Sequence, residues 1–477
     1  MTARVFEAIA RHAATSGDAI ALRSGARCID YRTLAAFLGA CAHALSDCPR
    51  VVGIAGADPL EAALADLALT RHGHVSVHLP PFFSAEQRAN IVAAAGIGAV
   101  IGAPVNGLAE IHLPRPDSCP PLDAALRAPV PGAERIIFTS GSSGRPKGVR
   151  IAERQTAAAL RGLEQAIAPR RSDLHLSVLP MAQLLEQVAG LYLPLLAGAQ
   201  VRFCPEALPA LFGGPIEPVL RTLAEARPTT IILVPALLAR LVAGLRAAGR
   251  RAPGGLRFVA VGGAHTSPAL LGAAADIGLP VHEGYGLSEC CSVVALNRAG
   301  EARPGTVGRV LDGLSVRIDA GEIVVSGPTV MEGYLGHPPV SGEWRTGDLG
   351  RIQNGRLIVE GRKDWLIVTP EGRNISPEWV EACLTADPRI PAAGLHLAGD
   401  GRLEIVAAFA APIDAARIAG LTAQLPAYAR PARAILVPAS LDGLLKPGGG
   451  IDRSRLAELS ARFPPEPLNH DTKEFVA

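Results

Sequence analysis

The densest chemistry in this chain of 477 residues lies between positions 139 and 148. The run reads Thr139, Ser140, Gly141, Ser142, Ser143, Gly144, Arg145, Pro146, Lys147, Gly148. Glycines let a backbone turn back so that several N–H groups point at one anion. The four hydroxyls add donors and Lys147 adds a positive charge, which together suit a polyphosphate. The run is not a Walker A loop, because Gly148 follows Lys147 where that loop needs Ser or Thr. No G-x-S-x-G frame makes it a nucleophile elbow. A flexible Ser/Gly linker is the plain alternative. The flanks argue against it: residues 135–138 read as a buried strand and 156–168 as a helix.

The elements that must hold this loop alternate in type. Strand-like runs at 51–55, 74–79 and 99–101 are separated by helical patterns at 59–70 and 85–95. Helices at 218–226 and 236–247 alternate with extended runs at 230–234 and 257–261. Such alternation predicts parallel sheets covered by helices on both faces. From residue 304 the pattern changes to short extended pieces at 315–318, 322–325, 350–352 and 356–359, which predicts a β-rich subdomain, a distorted barrel. A mixed segment follows residue 362, with a helix at 377–386, a strand at 403–410 and a helix at 414–424. The fold class is therefore α/β. A large N-terminal domain, 1–362, holds two α/β subdomains and a β-rich one, and a small mobile α+β domain spans 363–477. The polar, Pro-rich tail after Phe463 reads as loosely held.

A net charge of +2 offers no electrostatic case for nucleic acid or an anionic membrane. The N-terminus reads as an amphipathic helix without a secretory signal, and the apolar run 188–199 is too short to span a bilayer, which takes ~20 residues. A soluble, cytoplasmic protein is expected, a monomer or homodimer. The eight cysteines form no CxxC pair, so they read as buried reduced thiols. His72, His74 and His78 are evenly spaced, but Gly73 interrupts their strand and no nearby Asp or Glu supports a metal, so they read as ordinary strand-end histidines.

Four further segments carry chemistry. The first is His282, Glu283, Gly284, Tyr285, Gly286, Leu287, Ser288, Glu289; the second is Trp344, Arg345, Thr346, Gly347, Asp348, Leu349. Then come Gly361, Arg362, Lys363, Asp364 and the run 371–377, which begins Glu371, Gly372. With the 139–148 loop, this ordered series resembles the adenylate-forming superfamily of acyl-CoA synthetases, adenylation domains and luciferases, with medium- and long-chain fatty acyl-CoA ligases nearest in character. The resemblance implies ATP, Mg²⁺ and coenzyme A, or the phosphopantetheine of an acyl carrier protein, as cofactors and partners. It places the nucleotide on residues 139–144 and Lys147, on Gly263 and Ala264, on residues 283–288, and on Asp348, Arg362 and Gly372. Tyr285 would stack on adenine, Asp348 would bind the ribose hydroxyls, and Thr139 and Glu289 would hold Mg²⁺. Arg362 would meet the ribose or α-phosphate, and Asp364 would be the hinge pivot. The acyl site would be lined by Gln183, Leu184 and Val188 with Gly262, Gly263 and Gly284. Gln183 stands where fatty-acyl members carry a His or aromatic gate. No aspartate lies in residues 179–188, which favours an acid without an α-amino group; plain helix packing is the competing explanation for the Leu-rich part of that segment.

One departure stands out. Family members end on a pattern like N-G-K-x-x-R, whose lysine binds the carboxylate and α-phosphate. Aligning on Ile451, Asp452 and Arg453 puts Gly450 at the lysine's place, with Lys446 four residues upstream. The catalytic set expected is thus Lys446, Glu289, Thr139 and Arg362. The activity implied is ATP-dependent formation of acyl-AMP from a small-molecule carboxylic acid, then transfer to coenzyme A. Loading of a carrier protein and a catalytically weakened adenylate-binding relative are the alternatives, and a serine amidohydrolase lacks its lysine and sequence context here.

Overall fold

The computed structural model describes residues 3–80, 82–120, 128–139, 147–368, 374–441 and 452–470. The strand–helix alternation is present, with each element within about three residues of its expected bounds. It builds two sheets. A seven-stranded sheet runs, in spatial order, Gly333–Tyr334, Lys147–Ala152, Glu134–Thr139, Val75–Leu79, Val51–Ala55, Ala99–Gly102 and Ala109–Ile111. Its strands from Glu134–Thr139 to Ala109–Ile111 are parallel, and Lys147–Ala152 returns antiparallel. In a nine-stranded sheet, six adjacent parallel strands run Val281–Leu287, Phe258–Val261, Thr230–Leu233, Leu174–Ser177, Gln200–Phe203 and Ile20–Ser24.

The packing follows from composition. Every residue of Val75–Leu79 is buried, as a strand covered on both faces must be. Helix Pro59–Arg71 is buried almost all round, so it lies inside the protein rather than on its surface. Asp58 starts it by accepting from the N–H groups of Leu60 and Glu61, with Pro59 at the first turn. Side chains from both sheets share one hydrophobic core.

Inside that core sits a polar network. Arg135, 2% exposed, donates to Asp66 at 3.1 Å, to Thr70 at 2.9 Å and to the Tyr192 hydroxyl at 2.5 Å. Tyr192 donates in turn to Asp66 at 2.7 Å. The Arg135 guanidinium beside Asp66 holds its carboxyl well below the usual range, against the opposing effect of burial. Asp66 and Thr70 lie on helix Pro59–Arg71 and Tyr192 on the π-helical turn Glu186–Tyr192, so the network bolts the two sheet layers together.

Several expectations change. The β-rich piece is an open four-stranded antiparallel sheet, not a barrel: Ser315–Asp319, Glu322–Ser326, Glu343–Gln353 and Arg356–Arg362. Residues 374–441 and 452–470 form a unit with its own cores, around Ile405 and Val406 of the strand Leu403–Phe409. The tail is not loose as far as it is described: Glu466–Pro467 pairs with Arg433 and Ala434, and Leu468 is buried, while residues 471–477 lie outside the described residues. All eight cysteines are free, but Cys28 is exposed and Cys48 and Cys119 half-buried. His78 alone of the three histidines lies within a strand, and a carboxylate does approach it, Asp66 at 3.7 Å. Among the described residues no three His, Cys, Asp or Glu gather as a metal would need, and no helix is long and apolar enough to cross a membrane.

Asp66→Ala leaves Arg135 buried without its counter-charge, so it should destabilise the protein by about 3–5 kcal/mol in denaturant unfolding. Tyr192→Phe should cost about 1–3 kcal/mol. A loss below ~1 kcal/mol for Asp66→Ala would remove the network from its structural role.

Candidate active site

Thr139 and Lys147 face each other across an antiparallel pair at the end of the seven-stranded sheet. The predicted phosphate residues Ser140, Gly141, Ser142, Ser143 and Gly144 lie between them, outside the described residues, as do Gly372, Lys446 and Gly450. The Lys147 ammonium sits 5.3 Å from the centre of the Tyr334 ring, and the Tyr334 hydroxyl donates to Glu289 at 2.7 Å. One aromatic side chain thus links the lysine of the loop to the expected metal carboxylate. Sequence reasoning missed Tyr334. Its strand, Gly333–Tyr334, is two residues long and pairs with Lys147–Ala152, which only the fold reveals.

Glu283, Gly284, Tyr285, Gly286 and Leu287 lie on the strand Val281–Leu287, with Ser288 and Glu289 in the turn that follows. A bulge after Tyr285 brings the backbones together: a methyl at Gly286 would fall 1.7 Å from the Ser292 carbonyl oxygen. No side chain fits there. Gly262, just past the end of the strand Phe258–Val261, abuts Gly284 of the neighbouring strand, where a methyl on Gly262 would meet the Gly284 oxygen at 3.1 Å. Gly263 follows with φ +85, and Ala264 lies beyond it. Glu283 turns to the Gly305 N–H at 3.3 Å, and burial pushes its carboxyl up to about 7.

The Tyr285 hydroxyl donates to Asp348 Oδ2 at 2.5 Å and Arg362 donates to Asp348 Oδ1 at 2.9 Å. Register explains the second contact, because Asp348 and Arg362 are paired on adjacent strands. A bulge just beyond, between Leu349 and Gly350, needs glycine, since a methyl at 350 would lie 2.4 Å from the Ile358 oxygen. Burial raises the Asp348 carboxyl, against the pull of Tyr285 and Arg362. Asp364 is exposed in the turn Lys363–Trp365. Here the C-terminal unit makes contact: Glu378 accepts from the Arg362 backbone N–H at 3.2 Å, and Arg453 stacks on Trp365 at 4.7 Å.

Magnesium bound with ATP fits this donor set. Glu289 offers hard oxygens, one engaged by Tyr334 and the other without a partner among the described residues.

A small, mostly apolar cavity opens between helix Glu153–Ile167, the π-helical turn and the nine-stranded sheet, lined among others by Leu163, Leu185, Ala189, Phe258, Ala260 and Leu296. Of the predicted acyl-site residues, Leu184 and Val188 are buried in the core, and none of Gln183, Leu184, Val188, Gly262, Gly263 and Gly284 lines this cavity, whereas Leu185 and Ala189 do.

The profile of AMP-binding enzymes matches residues 9–335. The chain belongs to the AMP-binding enzyme family. Among AMP-binding relatives, a putative fatty-acid–CoA ligase (fadD11) of Mycobacterium tuberculosis is 29% identical over 330 residues, 56% of this chain and 56% of that protein. A 2-succinylbenzoate–CoA ligase of Bacillus licheniformis is 31% identical over 299 residues, 58% of this chain and 59% of the relative. The chain thus spans little more than half the length of these curated relatives. In fold it is similar to O-succinylbenzoate coenzyme A synthetase from Bacillus subtilis in complex with ATP and magnesium, at TM-score 0.77, 21% identity and coverage of 94% of this chain and 99% of that one. ATP-bound MatB from Rhodopseudomonas palustris gives 0.78, 24%, 96% and 99%.

A carboxyl whose value is raised on folding favours the folded state fully below its ordinary value. That contribution fades as pH rises towards the folded value. For Glu283 the window runs from 4.5 to about 7. Across it, wild type should lose up to ~1.4 kcal/mol per pH unit more than Glu283→Gln in urea unfolding. Parallel pH profiles for the two proteins would sink the assignment.

Proposed function

We propose that this AMP-binding enzyme activates a carboxylic acid with ATP, forming acyl-AMP and pyrophosphate, and then passes the acyl group to the thiol of coenzyme A. The observation that carries the reading is the joined set Tyr285, Asp348 and Arg362 beside an apolar cavity. The strand bearing Tyr285 pairs with the strand Ser292–Leu296, whose Val293 and Leu296 line that cavity, so nucleotide and acid would meet across one strand pair.

In this reading Asp348 accepts the ribose hydroxyls, Arg362 stands by the ribose or α-phosphate, and Thr139, the 140–144 segment and Lys147 cradle the phosphates. Magnesium, held by Glu289 with Thr139, would supply charge neutralisation at the phosphate oxygens. The protein's part is positioning and fixed charge, since the carboxylate attacks the α-phosphorus directly and the thiol later displaces AMP. Acid and nucleotide sit on the 1–362 domain, and the 363–477 domain turns about Asp364 between the steps. The cavity favours a monoacid with an apolar body: Arg257 at its edge is taken up by Asp173 at 2.5 Å, leaving no arginine or lysine lining it free for a second carboxylate. Coenzyme A rather than a carrier protein is supported by the names of the relatives. A cytoplasmic location belongs to the same proposal, supported by eight free thiols.

The test is AMP and pyrophosphate release across a carboxylate panel, with and without coenzyme A. Carboxylate-dependent release is expected, and its absence with every acid would sink the ligase reading. Lys446→Ala should slow adenylation by ~10²–10³; wild-type turnover in that variant would remove Lys446 from the mechanism. Asp348→Ala should weaken AMP binding by about 10- to 100-fold in calorimetry, the loss of hydrogen bonds from a charged acceptor.

A further inference from the structure

Tyr334 touches two groups of opposite charge. Its hydroxyl donates to Glu289 Oε1 at 2.7 Å, and the Lys147 ammonium lies over its ring, 5.3 Å from the centre. The donor in the first contact is fixed, because an ionised carboxylate only accepts. Burial and the adjacent Glu289 carboxylate raise the tyrosine hydroxyl above its ordinary value, so it keeps its proton. The ring is held in turn by Trp344, edge-on at 5.7 Å, and by His337 at 6.1 Å. The backbone around Tyr334 is tied to both of the groups it touches. Met331 N–H donates to the Glu289 carbonyl oxygen at 2.8 Å, and Leu335 N–H donates to that of Gly148, next to Lys147, at 2.7 Å. The strand Gly333–Tyr334 itself pairs with Val149 and Arg150. Gly333 has φ +140, and a methyl there would lie 2.9 Å from the Pro338 oxygen, so the turn that aims Tyr334 is built on glycine.

We propose that Tyr334 is a positioning residue that keeps the metal carboxylate and the phosphate lysine apart, each anchored and neither neutralised by the other. The inference rests on the roles proposed above for Glu289 and Lys147. An ammonium and a carboxylate free to touch attract each other, and their ion pair would take up the charge that each needs for its ligand. A phenol avoids that outcome, since it offers a π face to the cation and a neutral donor to the anion. Glu289 then keeps its charge and its second oxygen for a divalent cation, and Lys147 keeps its N–H donors for phosphate. Phenylalanine would supply the face without the donor, and leucine would supply neither. The two roles belong to different atoms of one side chain, so they can be separated by substitution.

The test measures calorimetric binding of ATP in EDTA and again in excess Mg²⁺, with no carboxylic acid present. Wild type should bind ATP more tightly when Mg²⁺ is added. Tyr334→Phe should match wild type in EDTA, because the face under Lys147 remains. In Mg²⁺ it should bind about 10- to 100-fold more weakly than wild type, the usual loss when the partner of a metal ligand is removed. Tyr334→Leu should also lose about 2- to 10-fold in EDTA. Glu289→Gln should recover more of the EDTA binding in the Tyr334→Leu background than it adds to wild type, since the lysine then has no carboxylate to fall onto. Thermal unfolding checks that each variant folds, and Tyr334→Phe, which keeps the packing, decides the matter if Tyr334→Leu does not fold. A Tyr334→Phe protein that keeps the full magnesium effect overturns the inference. Equal losses in EDTA and in Mg²⁺ for that variant would mark a merely structural role and overturn it too. AMP release that fails with every acid, while these binding effects stand, removes the ligase reading and leaves the inference. Wild type that binds no ATP under either condition overturns both.

Discussion

The ion pair between Asp66 and Arg135 is the constraint on which the rest of this fold depends. Two charges removed from water must meet each other, and here they do so with Thr70 and Tyr192 supplying further hydrogen bonds. Partners like these tolerate little displacement. Arg135 lies on the strand that ends at Thr139, and Tyr192 lies on the turn that also carries Leu185's neighbours Glu186 and Ala189. The same contact therefore fixes the entry to the phosphate loop and the wall of the apolar cavity.

From that base the site is assembled by register more than by loops. Asp348 meets Arg362 because their strands pair at that position, and Tyr285 reaches Asp348 from a third strand. Two bulges bend the strands where the side chains must converge, and each sits at a glycine whose methyl would collide with a backbone oxygen. Lys147, Tyr334 and Glu289 come together in the same way across the edge of the other sheet.

Much of this was readable in advance. Parallel strands buried on both faces show as continuous apolar runs, and glycines with hydroxyls beside a lysine announce an anion site, so the sheets and the order of the motifs were legible. What escaped depends on contacts between distant residues. Nothing in the run Arg135 to Phe138 says that its arginine is buried, because its partners stand 69, 65 and 57 positions away. The stretch 184–189 carries apolar residues on more than one face, so which of them meet the cavity was not legible: Leu185 and Ala189 line it, while Leu184 and Val188 pack in the core. Leu468 escaped because one buried side chain just past a two-residue edge strand leaves no pattern. The barrel expected after residue 304 was an inference from short, glycine-split strands, which an open sheet produces equally well.

The contact between Arg362 and Asp348 has a consequence for how the site fills. The carboxylate proposed for the ribose is already occupied, by the tyrosine hydroxyl on one oxygen and the guanidinium on the other. A nucleotide entering there competes with an internal ligand, so its measured affinity is its contact energy less the work of prising that ligand away. Because the backbone of the same arginine is tethered to Glu378 of the C-terminal unit, the displaced group is attached to the part of the chain proposed to swing. Occupancy of the nucleotide pocket and the posture of the C-terminal unit then become a single coupled equilibrium, each biasing the other by the same factor.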